Sequence, residues 1–268
     1  MLKPWHRRSI VLSTRGGIFH TTTLSTLKRH IFDHLVARYA VSKFCCRLQP
    51  GDLAIFSKIS DQVHLIENAV ELQRYFDRSA ANKVPGRCLY VGRLAANKGV
   101  GRLLHAVAVA SRTVPLQLHL VGADTDCQRP QLERMARSLG ISKMVSFRGE
   151  VGSEELLEEF ELADIFVSAA QYEGFGISAI EARAAGCRML LQRNDAFVST
   201  FGGDTCATFV DFADSEMAGQ ILADVVGSSR KTASATRHIV DRFSWDTQFP
   251  RWAEVYSKLR DGSAAHQK

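Results

Sequence analysis

The chain has 268 residues, room for one large domain or two small ones with an ample core either way. With 46% hydrophobic and 23% charged residues it is an ordinary globular protein, and no apolar run approaches the roughly 18 residues of a membrane span. The net charge of +6 resides in the first third, where residues 1–84 hold 13 Lys and Arg against 6 Asp and Glu, a basic face turned to an anionic partner or simply to solvent.

The opening "MLKPWHRRSIVLSTRGG" lacks the apolar core and small-residue cleavage site of a secretory signal. "RSIVLST" reads as a strand and "TLSTLKRHIFDHLVARY" as a helix. In that helix Leu24, Leu27, Ile31 and Leu35 recur at helical spacing beside Lys28, Arg29 and Arg38. It either packs on its own domain or meets anionic lipid. "PGDLAIFSKI" reads as a second helix and "VHLIEN" as another strand. These pieces are too few to close an α/β domain, and a lone first strand leaves an edge unpaired. Residues 1–84 therefore read as the second half of a domain, with a linker over 77–86.

From Arg87 onward short apolar runs alternate with helical segments of period 3.6. The strands are "RCLYVG", "LQLHLVG", "VSFRG", "DIFVSAA", "RMLLQ" and "ATFVDF". Between them lie "VGRLLHAVAVASR", "RPQLERMARSLG", "SEELLEEFELA" and "GISAIEARAAG", then an irregular segment, with "DSEMAGQILADVV" last. This alternation predicts about six parallel strands between 87 and 212, a complete doubly wound domain.

Two phrases carry chemistry. "GRLAANKG" follows the strand "CLYV" and leads into a helix, where open α/β sheets bind ligands. Gly92 permits close approach of the backbone, Arg93 and Lys98 bring two cations, and the helix from Gly99 adds its positive end. The spacing matches neither G-x-G-x-x-G nor G-x-x-x-x-G-K-[ST], and taken alone the two cations read equally as a solvated turn. The second phrase, "YEGFGISAIEA", sets Glu173 and Glu181 eight positions apart around Gly174, Phe175 and Gly176. The glycines allow a tight strand-to-helix turn whose free N–H groups face an anion. Carboxylates beside such a site suit hydroxyls, which they bind as acceptors. A ligand with phosphates between two polyhydroxylated ends, as in a nucleotide-sugar, satisfies every group. Otherwise Glu173 is a surface loop residue and Glu181 a helix charge.

"GRLAANKG" followed some 75 residues later by "EGFGISAIEA" resembles the donor-binding signature of family 4 glycosyltransferases. The resemblance implies retaining catalysis and an α/β fold of the GT-B type, in which two Rossmann-like domains face each other. It implies that Arg93 and Lys98 hold the donor diphosphate, Glu173 lies near the transferred sugar and Glu181 binds the ribose hydroxyls. "STRGGIFHTTTLSTLKRHIF" resembles the family's histidine-bearing segment, which implies that His20 stands near the reacting sugar. It is especially similar to α-mannosyltransferases that move mannose from GDP-mannose to polyprenyl-diphosphate-linked cellobiose in exopolysaccharide assembly. "VHLIENAVELQRYF" resembles the family's I-x-N-G-V-D-x-x-x-F, with Ala69 and Glu71 where Gly and Asp are usual, and "FSWD" before "VY" is also typical.

The expected architecture is a complete Rossmann-like C-terminal domain over 85–268, with its C-terminal helix, and a partial Rossmann-like N-terminal, acceptor-side domain over 1–84. The family's first strand and glycine-rich loop do not precede "RRSIVLST", so a truncated, non-catalytic nucleotide-sugar-binding remnant is the alternative expectation. The expected partners are a nucleotide-sugar, a polyprenyl-diphosphate-linked glycan and an anionic membrane surface, with no nucleic acid. No cofactor or metal is expected; His30 and His34, one turn apart, lack the carboxylate or cysteine company of a metal site. Cys45, Cys46, Cys88, Cys127, Cys187 and Cys206 show no pairing framework and read as the reduced thiols of a cytoplasmic protein, one with peripheral contact at the inner face of the plasma membrane.

Overall fold

The computed structural model describes residues 11–13, 44–46, 63, 64, 66–78, 82–228 and 236–265. His20, the pair His30 and His34, and the two expected helices of the first third lie outside them. The chain divides into two compact units, residues 1–70 with 241–268 and residues 71–240.

In the first unit, β1 (Val11–Ser13), β2 (Phe44–Cys46) and β3 (Val63–His64) form a parallel sheet in that order, with Val11 opposite Phe44 and Cys45 opposite Val63. The expected strands at "RSIVLST" and "VHLIEN" are thus present, and "FCC" between them supplies a strand that its shortness concealed. Residues after 240 return to this unit. Val70 N–H donates to the Phe243 carbonyl at 2.8 Å, and Arg242 Nε donates to Glu67 Oε2 at 3.0 Å.

The second unit opens with α1 (Gln73–Asp77), which packs on α4 (Ser153–Leu162) and α5 (Ile177–Ala184). Compactness therefore places 71–83 with this unit, whereas composition placed the division at 84. The strand β4 (Val84–Val91) begins inside the expected linker. It is followed by α2 (Val100–Ala110), β5 (Gln117–Val121), α3 (Arg129–Ser138), β6 (Val145–Gly149) and α4. Then come β7 (Ala163–Ser168), α5, β8 (Arg188–Gln192), α6 (Asp195–Phe201), β9 (Ala207–Val210) and α7 (Ser215–Gly227). The segment expected to be irregular contains α6, whose start is fixed by Asn194: its side chain accepts from Phe197 N–H at 2.9 Å and donates to the Ala170 carbonyl at 2.8 Å. The chain continues into α8 (Arg237–Phe243) and α9 (Trp245–Ala265). Among the described residues no helix is long and apolar enough to cross a membrane.

All six strands of this unit are parallel, in the order β6-β5-β4-β7-β8-β9. Every residue of β7 and β8 is buried, as a central strand covered on both faces must be. The buried face of α2 is Val100, Leu103, Leu104, Ala106, Val107 and Ala110, the spacing that predicts an amphipathic helix. It meets α7 at Gly219, where a Cβ would lie 2.4 Å from Val109 Cβ, so the helices approach as closely as backbone allows. Ion pairs fasten the structure around the sheet: Arg188 to Asp164 at 2.6 Å near the amino ends of β8 and β7, and Arg183 to Asp204 at 2.6 Å. Strand order reverses between β4 and β7, and the crevice outside their carboxyl ends is where such sheets bind ligands.

Candidate functional site

Both chemical phrases leave the sheet at this reversal. After β4, Gly92 N–H donates to the Val121 carbonyl at 2.9 Å, and the Gly92 carbonyl is packed so tightly on Gly122 (φ +136°) that a Cβ there would lie 2.2 Å from it. The loop is further pinned from below. Tyr90, 2% exposed, donates its hydroxyl to the Arg93 carbonyl at 2.8 Å. Burial, and then the negative charge of Glu173, push this phenol's pKa up, so it remains a donor. Arg93 itself is exposed. A single 3₁₀ turn, Ala96–Lys98, leads to Gly99, whose φ of +67° and position 2.3 Å (for an added Cβ) from the Ala169 carbonyl press the loop onto the end of β7.

That contact brings the two phrases together. Lys98 Nζ lies 2.7 Å from Glu173 Oε2, with 17% and 20% of the side chains exposed, and Glu173 Oε1 accepts from Gly174 N–H at 3.1 Å. Phe175 is buried, and Gly176 takes φ +81° against the Phe197 ring to start α5. Glu181 follows on the second turn, where Tyr75 Oη donates to its Oε1 at 3.1 Å. Burial pushes the Glu181 pKa up to about 7, and the Tyr75 hydrogen bond only partly opposes this.

Four helix starts of this unit carry an acidic or amide side chain of their own. Asn194 caps α6 and Asp214 caps α7, Asp124 accepts from the N–H groups of Gln128 and Arg129 at α3, and Glu154 and Glu155 stand in the first turn of α4. The helices α2 and α5, which begin at the reversal, have neither a side-chain cap nor an acidic residue in the first turn. Among the described residues the carboxylate nearest the start of α5 is Glu173, which is paired with Lys98, so cations, helix starts and a carboxylate meet at this edge. Such a site can hold a phosphate ester between hydroxyl-bearing groups.

Among the residues expected from sequence, Lys98 and Glu173 are in contact. Gly92 and Arg93 join them through Tyr90, and Gly174, Phe175 and Gly176 form the turn that leads to Glu181. Tyr75, Tyr90 and Asn194 were not anticipated. Tyr90 had a legible signal, a polar-tipped ring inside the apolar run Cys88 to Val91. Among the described residues no three His, Cys, Asp or Glu side chains gather as a metal site, and Cys88, Cys127 and Cys206 are free thiols.

A six-stranded parallel sheet, with Lys98 and Glu173 meeting at its strand reversal, makes this a doubly wound α/β domain. The family model described as "Glycosyl transferases group 1" matches residues 73–237, and the chain belongs to that family. It is 30% identical over 269 residues to the GDP-mannose:cellobiosyl-diphosphopolyprenol alpha-mannosyltransferase of Xanthomonas campestris, covering 96% of this chain and 69% of the relative. A protein of the same name from Komagataeibacter xylinus is 25% identical, with 96% and 67% covered. Among solved structures, Anabaena Alr3699/HepE in complex with UDP superposes with a TM-score of 0.81 at 18% identity, over 96% of this chain and 74% of that one. Sucrose-phosphate synthase from Thermosynechococcus elongatus gives 0.74 at 20% identity, over 94% and 68%. The fold is of the GT-B type, and the protein is a glycosyltransferase.

Proposed function

We propose that the protein transfers mannose from GDP-mannose, with retention of configuration, to a polyprenyl-diphosphate-linked oligosaccharide in exopolysaccharide assembly. The observation that carries this reading is the meeting of Lys98, Glu173 and two uncapped helix starts at one point of the sheet edge. The names of the relatives supply the donor and acceptor. The diphosphate lies against Lys98, Arg93 and the first turns of α2 and α5, Glu173 takes hydroxyls of the sugar, and Glu181 takes those of the ribose. Charge develops on the departing diphosphate, and the two cations and helix dipoles are preorganised where it appears. The bond from C1 to the diphosphate oxygen breaks and the acceptor hydroxyl bonds C1 from the same face, giving its proton to the departing phosphate. His20 has the role its segment's resemblance implies, holding a sugar hydroxyl near the reacting carbon. No metal or other cofactor is assigned a step. The acceptor's lipid places the protein at the cytoplasmic face of the membrane, met by the basic first third.

The test is incubation of the chain with radiolabelled GDP-mannose and cellobiosyl-diphosphopolyprenol. The expected result is one added mannose in α linkage. Transfer from another nucleotide-sugar but not from GDP-mannose would overturn the donor assignment, and a β-linked product would overturn retention.

A further inference from the structure

Glu181 is a partly buried carboxylate in neutral company: among the described residues it has Tyr75 as its hydrogen-bond donor and no cation. A carboxylate has two oxygens and about four acceptor positions. Among the described residues one donor, on Oε1, leaves Oε2 as an acceptor open to a ligand bearing hydroxyls. Tyr75 is held firmly enough to matter. Its ring stands edge-on to Phe160 of α4 at 5.3 Å and 87°, and α1 is tied to the same helix by Arg74 and Arg78, which both pair with Glu154. Arg237 lies over the neighbouring Phe76 ring at 5.4 Å. Burial, and then the charge of Glu181, push the Tyr75 pKa up, so the phenol keeps its proton and donates. In the pattern I-x-N-G-V-D-x-x-x-F, Tyr75 occupies the place of the phenylalanine. The ring therefore serves the packing, and the hydroxyl is an addition with its bond to Glu181.

We infer that Tyr75 is a positioning residue of the donor site: its hydroxyl fixes the Glu181 carboxylate so that Oε2 accepts from the ribose, making the site select ribonucleotides over deoxy forms. This rests on the assignment of Glu181 to the ribose made above. Tyr75→Phe keeps the ring and removes the donor, leaving Glu181 free to turn in its pocket.

The experiment is titration calorimetry on the 268-residue chain with GDP and with 2′,3′-dideoxy-GDP, for the wild type, Tyr75→Phe and Glu181→Gln. The wild type is expected to prefer GDP by roughly tenfold or more. Tyr75→Phe should weaken GDP about fivefold, leave dideoxy-GDP unchanged and keep the thermal midpoint within a few degrees. Equal GDP affinity in wild type and Tyr75→Phe overturns the inference. So does an equal loss for both nucleotides, the mark of a purely structural role. If the wild type binds the two nucleotides alike, or Glu181→Gln discriminates as the wild type does, the ribose assignment itself fails and the role of Tyr75 falls with it.

Discussion

Lys98 and Glu173, 75 positions apart in the chain, meet at 2.7 Å where β4 and β7 end side by side. The pair shows why a cation suited to phosphate need not be idle without it: the carboxylate at this edge neutralises it. A bound diphosphate competes with Glu173 for the same ammonium. Glu173→Gln removes the competitor and a negative charge near the phosphates. It should therefore tighten GDP binding several-fold while lowering transfer by about a hundredfold or more. Lys98→Ala should lose both, with turnover down by orders of magnitude. Calorimetry and product formation on each variant check this; GDP affinity unchanged in Lys98→Ala would remove the assigned role.

The backbone that delivers Lys98 makes a second prediction. Gly99 and Gly140 both have positive φ, +67° and +75°, but an added Cβ meets the Ala169 carbonyl at 2.3 Å at the first and nothing within 4 Å at the second. Gly140→Ala should cost only the left-handed strain, about 1–2 kcal/mol. Gly99→Ala must also push the loop from β7 and should cost about 3 kcal/mol or more. Thermal or urea unfolding ranks the two. Gly99→Ala should weaken GDP as well, whereas Gly140→Ala should not. Equal costs would mean that the loop is not pressed onto the strand.

The contrast between what the sequence disclosed and what it hid follows the same physics. Buried strands such as "RMLLQ" and amphipathic helices such as "VGRLLHAVAVASR" announce themselves because burial on a periodic face requires apolar residues at fixed intervals. The glycine-flanked phrases at the reversal were legible because positive φ and close approach demand glycine. The pairing of Lys98 with Glu173 was not, since nothing local links two residues in loops that only the sheet order brings together. Helix α6 hid because its seven residues begin with the polar Asp195 and its start depends on Asn194, a residue equally at home in a turn. Tyr75 hid because its partner lies 106 positions away.

The raised pKa of Glu181 predicts a stability change of definite sign. Folded, the group titrates near 7; unfolded, near the ordinary 4.5. Between those values the native state binds more protons, so stability falls as pH rises through the window. The penalty is complete above about 7 and absent below about 4.5. Glu181→Gln should thus raise the thermal midpoint at pH 8 and lose that advantage by pH 5, while losing GDP affinity at every pH at which the wild type is ionised. Wild-type GDP affinity should climb as pH passes through 7, because only the ionised carboxylate offers both oxygens as acceptors. A midpoint difference independent of pH would show that Glu181 is not a desolvated carboxylate.

At the other end of α5, Arg183 and Asp204 form an ion pair with 1% and 2% of their side chains exposed, Nε to Oδ2 at 2.6 Å. Asp204 Oδ1 also accepts from Cys206 N–H at 2.8 Å, so the carboxylate fixes the turn into β9 as well as the last turn of α5. A cation there suits the negative helix end. Breaking a buried pair from one side strands the other charge, and Asp204→Ala should cost about 3–5 kcal/mol. Replacing both partners with apolar residues, Arg183→Met with Asp204→Leu, should recover most of that loss, since two desolvated charges and their attraction nearly cancel. Urea unfolding of the two singles and the double measures the coupling. Because α5 carries Glu181 a little over half a turn before Arg183, the single variants should also weaken GDP binding and the double should restore it. Single variants that unfold like the wild type would mean that the pair does not hold the helix in place.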